Sequence, residues 1–282
     1  MNFHKYQGIG NDFIIIDGRL TNLPSGLEQP DKSLISGICD RHFGVGADGI
    51  LLIQSPIGEA DIEMRVLNSD GTEAEMCGNG LRCVIKYLLD QAEIGFAKVC
   101  EVKTKAGIIR AHADPDRQIV VDMGAPYLEP SKIPTTFKVR SNGLPQEEVI
   151  VNGNAMNAVA VGMGNPHMII IVDDYSEINV ERYGKKLENH ESFPENTNVH
   201  FVNVVDSSKL ELKVWERGSG ITLACGTGAC ATLVATHLLG ITGNTANVFL
   251  PGGVLSISWP ALDGSVFMKG SAEFVYEGHL DL

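Results

Sequence analysis

What most constrains this chain is repetition: the same short motifs occur twice, in one order, at a slowly drifting separation. Gly8-Ile9-Gly10-Asn11-Asp12-Phe13-Ile14-Ile15-Ile16 returns as Gly162-Met163-Gly164-Asn165-Pro166-His167-Met168-Ile169-Ile170-Ile171, an offset of 154 (165 − 11). Phe43-Gly44-Val45-Gly46-Ala47-Asp48 has a fainter echo in Phe193-Pro194-Glu195-Asn196-Thr197-Asn198, at 150 (198 − 48). Cys77-Gly78-Asn79-Gly80 returns as Cys225-Gly226-Thr227-Gly228 at 148 (225 − 77), and Gly107-Ile108-Ile109 as Gly253-Val254-Leu255 at 146 (253 − 107). A Gly-rich tetrapeptide recurs by chance; four matches in order mark a duplicated architecture. The length of 282 residues suits two units of about 140.

Both halves show the same grammar. Runs rich in Ile and Val (Phe13 to Ile16, Ile50 to Ile53, Ile108 to His112, Ile119 to Met123) alternate with Gly, Pro and Asn punctuation, which predicts strands. One helical segment follows each Cys-Gly-x-Gly. In the first, Arg82, Lys86 and Asp90 recur every four residues and share a face, leaving Val84, Ile85, Leu88 and Leu89 to pack, so an amphipathic helix is expected. The second, about 228–239, lies in a stretch with no Asp, Glu, Lys or Arg between Arg217 and Asp263, and is expected to be buried on every side. So few helices cannot cover a doubly wound parallel sheet. The expected fold is α+β: two duplicated halves, each a curved, barrel-like mixed sheet wrapped round a central helix, and since duplicated halves tend to pair about a pseudo-two-fold axis, the active site is expected in the cleft between them. The expected division is 1–124, carrying Cys77, and 125–271, carrying Cys225, with the Pro-rich stretch from Gly124 to Pro134 as linker.

Composition narrows the function. A net charge of −13, from 35 acidic against 22 basic residues, repels phosphate backbones and anionic lipid, so neither nucleic acid nor membrane is an expected partner. No apolar run approaches the roughly 18 residues of a membrane span, and no secretory leader is visible at the start, so a cytoplasmic location is expected. Six cysteines in a chain of this length make no disulfide scaffold. Cys39, Cys83, Cys100 and Cys230 read as small buried hydrophobes.

Cys77 and Cys225 are different, because they hold equivalent places, each just before glycines and a helix. The free N–H groups at a helix start bind anions and lower the pKa of a nearby thiol. Two such helix ends facing one substrate carbon suit an inversion without a cofactor: one sulfur removes a proton and the other returns one from the opposite side. A zinc site is disfavoured, since there is no Cys-x-x-Cys and no histidine stands near either cysteine in sequence. Nucleotide phosphate-binding motifs are absent as well. Asn68 and Glu216 each precede their cysteine by nine positions, with Arg217 beside Glu216; these residues read equally as solvent-facing loop positions. His167 follows Gly-Asn-Pro, and on its own reads as a core or surface residue, while Asn11, Asn165 and Asn198 suit turns.

Taken together these residues resemble the diaminopimelate epimerases, over nearly the whole chain. The resemblance is carried by Gly8-Ile9-Gly10-Asn11-Asp12-Phe13, Asn68-Ser69-Asp70-Gly71, Met76-Cys77-Gly78-Asn79-Gly80 with Arg82-Cys83, Met163-Gly164-Asn165-Pro166-His167, Trp215-Glu216-Arg217-Gly218 and Ala224-Cys225-Gly226-Thr227-Gly228-Ala229-Cys230. It implies interconversion of LL- and meso-diaminopimelate in lysine biosynthesis, with no cofactor and no metal, the meso product also serving peptidoglycan. It implies that Cys77 and Cys225 are base and acid, with His167 and Glu216 assisting. Gly78, Asn79, Gly226 and Thr227 would hold the carboxylate at the reacting centre, and Asn11, Asn68, Asn165, Asn198, Glu216 and Arg217 the remainder of the substrate. The resemblance further implies a C-terminal strand, about 272–282, returning to the first domain, and a homodimer. Where some family members carry Gln, this chain has Gly49, so any side-chain contact from that position is lost. Proline racemase-type enzymes and a non-enzymatic thiol-containing interaction module are the rival readings.

Overall fold

The computed structural model describes every residue except 57, 174, 177 and 282; Leu282, the last residue of the expected returning strand, thus lies outside the described residues. The chain forms two compact units, Met1–Asp122 with Lys269–Leu282, and Met123–Met268.

The first unit contains β1 (Asn2–Gly8), β2 (Asn11–Asp17), β3 (Gly49–Gln54), β4 (Ile62–Asn68), β5 (Glu73–Ala74), β6 (Cys100–Thr104), β7 (Gly107–Ala113) and β8 (Ile119–Asp122). Its helices are α1 (Ser25–Glu28), α2 (Lys32–Cys39) and α3 (Gly78–Asp90). The second contains β9 (Lys138–Val139), β10 (Pro145–Val151), β11 (Asn154–Gly162), β12 (Pro166–Ile171), β13 (Asn198–Asp206), β14 (Lys209–Glu216), β15 (Gly220–Ile221), β16 (Thr245–Leu250) and β17 (Gly253–Ser258), with helices α4 (Val180–Glu188) and α5 (Gly226–Leu238). Near the C-terminus come β18 (Phe267–Gly270), which crosses the boundary, and β19 (Glu273–His279), which pairs antiparallel with β1.

The two units repeat one pattern of strand pairing. β1–β2 is antiparallel, β2–β3 parallel, β3–β4 antiparallel, β4–β6 parallel and β6–β7 antiparallel. β11–β12, β12–β13, β13–β14, β14–β16 and β16–β17 follow the same alternation. A single helix touches distant members of each sheet: α3 meets β1, β2, β3, β7, β8 and β19, and α5 meets β11, β12, β13, β16 and β17. Each unit is therefore an α+β mixed sheet curled round one helix. The register also refines the repeat. Phe13 pairs with Gly49 and His167 with Asn198, so the counterpart of Asn198 is Gly49, not Asp48.

α2 and α4 are additions to the one helix per half that the sequence suggests, and the strands explain them. Ile14, Ile15 and Ile16 are all fully buried, so β2 needs cover on both faces. Ile14 and Ile16 pack with Leu27, Ile35 and Ile38 of α1 and α2, while Ile15, of opposite parity, faces the α3 side. In the second unit Met168, Ile170 and Phe201 pack with Val180 and Leu187 of α4. Asp31 caps α2 through the Leu34 N–H, and Asn179 caps α4 through the Arg182 N–H, both at 2.9 Å.

Two local expectations are corrected. α3 does not turn its polar stripe wholly to solvent: Arg82 is fully buried and donates to Asn79 Oδ1 at 2.9 Å and to the Ser271 carbonyl at 3.2 Å. A buried guanidinium is tolerable when such acceptors meet it. The Pro-rich stretch is no free linker, since Ile133 is fully buried, Tyr127 pairs with Gly162, and the chain changes unit at Asp122–Met123. α5 is buried, as its composition implies, and its Thr232 and Thr236 hydroxyls donate to the carbonyls of Gly228 at 2.7 Å and Thr232 at 2.9 Å. No helix among the described residues is long and apolar enough to cross a membrane.

Candidate active site

Cys77 caps α3 from extended backbone (φ −140°, ψ 111°), and its Sγ accepts the Gly80 N–H at 3.3 Å. Cys225 holds the N-cap of α5 in a similar extended backbone conformation (φ −126°, ψ 102°). In both units the strand before the helix ends in the polar residue singled out by spacing, Asn68 on β4 and Glu216 on β14. Gly78-Asn79 and Gly226-Thr227 then open the first turn, where backbone N–H groups point outward at the positive end of the helix dipole. Such a turn receives a carboxylate without any basic side chain.

The helix end does not lower the pKa of Cys225, contrary to expectation. Burial pushes this thiol well above its usual range, and the nearby Glu216 charge adds to that, while the Thr227 hydroxyl and Gly228 N–H oppose it. Cys225 is only 3% exposed, so desolvation outweighs the dipole and the sulfur is held protonated. Its surroundings are specific: the Glu216 carboxylate that acts on the thiol accepts the Thr222 hydroxyl on Oε1 at 2.5 Å, and Thr227 Oγ1 lies 3.7 Å from Sγ.

His167 is fully buried on β12, its Nε2 2.8 Å from Asn165 Oδ1 and its Nδ1 2.8 Å from His200 Nε2. The sequence expectation that no histidine gathers at a cysteine is thereby corrected: nitrogens of His167 and His200 and the Cys225 sulfur lie within 4.8 Å of one another. The parallel register places Ile169 opposite His200, so His167 and His200 share a face of the sheet despite 33 intervening steps of chain. Two nitrogens bound to one tetrahedral zinc at about 2.0 Å would stand more than 3 Å apart, so the 2.8 Å contact is a hydrogen bond between the rings.

Asn198 is structural as well as polar. Its Nδ2 donates to the Pro166 carbonyl at 2.9 Å and its Oδ1 accepts the Arg217 N–H at 3.0 Å, tying β13 to the Glu216-Arg217 turn. The Arg217 side chain is exposed and donates to the Glu195 carbonyl at 2.9 Å. In the first unit Asn79 Nδ2 donates to Asn11 Oδ1 at 3.2 Å and Asn11 Nδ2 to Asp48 Oδ2 at 2.7 Å, whereas Asn68 turns to Thr72 Oγ1 at 2.9 Å. Behind Asn11, Lys5 pairs with Asp12 at 2.6 Å and Arg41 bridges Asp12 and Asp48. Burial alone raises the Asp12 pKa, but Arg41 and Lys5 outweigh it and bring it to about 2. Gly49 admits no side chain here, because a Cβ would stand 2.6 Å from the Leu67 carbonyl oxygen.

His200, Thr222 and the Lys5-Asp12-Arg41 network were not singled out from sequence. Only His200 carried a signal, its even spacing from Asn198 on a strand.

The diaminopimelate epimerase family model matches residues 3–129 and 159–275, which include both cysteine caps. The chain belongs to this family. A diaminopimelate epimerase of Prochlorococcus marinus strain MIT 9313 is 51% identical over 99% of this chain and 92% of its own length. Diaminopimelate epimerase 1 of Nostoc sp. strain PCC 7120 is 44% identical over 99% of each. Among solved structures, a PhzF-family protein of Bacillus anthracis superposes with TM-score 0.71 at 16% identity, covering 100% of this chain and 99% of that one. A hydroxyproline epimerase of Agrobacterium vitis, with bound trans-4-hydroxy-L-proline, gives 0.69 at 15% identity, covering 99% of this chain and 91% of that one. These two likenesses show the fold alone. Membership of the epimerase family sets aside the proline racemase-type and non-enzymatic readings.

Proposed function

We infer that this protein is an isomerase that interconverts LL- and meso-2,6-diaminopimelate in lysine biosynthesis, by a two-base exchange of the α-proton between Cys77 and Cys225. Family membership supports the substrate and the reaction. The observation that carries the mechanism is the duplication itself, a cysteine at the N-cap of each of two equivalent helices.

In the form described, Cys225 is a neutral thiol and so the proton donor, which leaves Cys77 as the base; for the reverse reaction the roles exchange. Between turnovers Glu216 returns a proton to the spent Cys225 sulfur, or accepts one from it for the reverse reaction, and His167 assists proton transfer. The amides of Gly78, Asn79, Gly226 and Thr227 bind the carboxylate at the reacting centre, where charge grows as the α-proton leaves. Asn11, Asn68, Asn165, Asn198, Glu216 and Arg217 hold the distal amino-acid end, whose carboxylate and ammonium call for one guanidinium, amides and a carboxylate. Cofactor-free exchange follows from this pairing of sulfur acid and sulfur base. The functional division is 1–124 with 272–282, and 125–271. A cytoplasmic homodimer completes the reading, supported by the exposed apolar strand at Phe274, Val275 and Tyr276.

Incubation in deuterated water tests the reaction. LL-diaminopimelate should exchange its α-proton and become meso, while proline should remain protonated; exchange of proline but not diaminopimelate would overturn the reading. Light scattering at micromolar concentration tests the dimer.

A further inference from the structure

His200 is fully buried and touches the histidine to which proton transfer is assigned. A continuous chain runs from Asn165 Oδ1 to His167 Nε2, and from His167 Nδ1 to His200 Nε2, each contact 2.8 Å long. A neutral imidazole carries one N–H and one bare nitrogen. Both rings are held neutral: burial lowers both, His200 to about 3, and positive charge on His200 or Arg217 lowers His167 still further.

The polarity of the chain follows. An amide oxygen only accepts, so His167 Nε2 carries the hydrogen and donates it to Asn165. His167 Nδ1 is then bare and must accept, so His200 Nε2 carries the other hydrogen. That leaves His200 Nδ1 bare, and it is the one ring nitrogen of the pair with no partner among the described residues. The reverse assignment sets a bare nitrogen against an amide oxygen at 2.8 Å and buries an N–H on His200 Nδ1 with nothing to receive it. The ring of His200 is also fixed in place by α5. Gly228 in the first turn of that helix leaves room for it, since a Cβ there would stand 2.1 Å from His200 Cε1.

We propose that His200 is a positioning residue that, together with Asn165 on the other side of the ring, locks His167 as the Nε2–H tautomer, so that His167 presents a hydrogen-bond donor, not a base, to Asn165 and to the bound amino acid. The proposal rests on His167 belonging to the reacting site, as in the function inferred above. It adds that the ring beneath His167 decides what His167 can do there. A donor at this point suits a thiolate or a carboxylate oxygen, whereas the Nδ1–H tautomer would turn a lone pair towards the same anion.

The test is nitrogen NMR of the protein with 15N-labelled histidine rings, in which bare and protonated ring nitrogens resonate far apart, combined with His200→Phe and His200→Gln. In the wild type His167 should show a protonated Nε2 and a bare Nδ1. In His200→Phe, which cannot donate, the Nδ1–H form should appear beside the Nε2–H form that Asn165 still favours, and kcat should fall about tenfold or more with KM changed less. In His200→Gln the side-chain amide can donate to Nδ1, so the Nε2–H form and most of kcat should return. An Nδ1–H tautomer in the wild type, or an Nε2–H tautomer unchanged in His200→Phe, overturns the proposal. The NMR reading needs no substrate, so it decides the tautomer even if diaminopimelate proves not to be turned over.

Discussion

Burial keeps the Cys225 sulfur protonated, and the charge of the nearby Glu216 carboxylate adds to it. Glu216→Gln keeps the shape and removes the charge. The Cys225 pKa should then fall, because the one charged group that raises it is gone, although burial keeps it above the usual thiol range. Turnover should drop about a hundredfold, since Cys225 loses the group that exchanges a proton with it between turnovers. Alkylation by iodoacetamide across pH, followed on the Cys225 peptide by mass spectrometry, reads the shift. A midpoint that stays put or rises would contradict the assignment of Glu216.

Much of this arrangement was legible from the order of motifs alone. Equivalent positions before two glycine-led helices were enough to single out Cys77 and Cys225, because helix caps leave a local signature. The curled sheet round a central helix was legible for the same reason. What stayed hidden depends on contacts distant in sequence. His200 meets His167 only through the parallel register of β12 and β13, which no spacing rule reveals. Arg82 read as a solvent-facing residue because helical periodicity cannot know that the Ser271 carbonyl, 189 positions away, comes to meet it. The sign of the Cys225 shift was misjudged because the dipole of a helix end is visible in sequence, while burial is not.

Gly228 is a packing requirement. An added Cβ would stand 2.1 Å from His200 Cε1 and 2.8 Å from both ring nitrogens, and the ring has no exposed side to move towards. Overpacking costs about 1–3 kcal/mol against roughly 1 kcal/mol gained from replacing glycine within a helix. Gly228→Ala should therefore melt a few degrees lower and lose activity by displacing His200. Gly243→Ala is the control, since nothing lies within 4 Å of its Cβ position, and it should shift stability by less than about 0.5 kcal/mol. Equal melting temperatures for the two variants would refute the packing argument.

Acid should weaken the fold in a defined window. His167 and His200 are buried and neutral in the fold, with folded pKa values below the ordinary histidine value of 6.5, and His200 at about 3. The unfolded chain takes up these protons first, so stability is lost as pH falls from about 6.5 towards 3, with a slope of at most about 1.4 kcal/mol per pH unit for each ring. Asp12, whose folded pKa of about 2 lies below its ordinary 3.8, adds a further loss between those two values. Thermal melts between pH 8 and 5 should show the decline, and His200→Phe should flatten it by removing one of the two rings. A pH-independent melting temperature through this window would rule out the buried neutral pair.

The sharpest prediction concerns the division of labour between the sulfurs. Cys77→Ser and Cys225→Ser keep the cap geometry, and a hydroxyl is far less acidic than a thiol, so each should lose epimerisation by about a thousandfold or more. Binding should survive better than turnover, because the backbone amides that follow each cap are untouched. Each variant retains one competent thiol and so still reaches the α-proton from one face. Cys77→Ser should accordingly exchange that proton, or eliminate a well-placed leaving group, from one stereoisomer of a diaminopimelate analogue, and Cys225→Ser from the other. Proton NMR in deuterated water, run on the separate stereoisomers, reads this directly. Should both variants prefer the same stereoisomer, or either keep near-normal epimerisation, the paired acid and base would give way to a single-base mechanism.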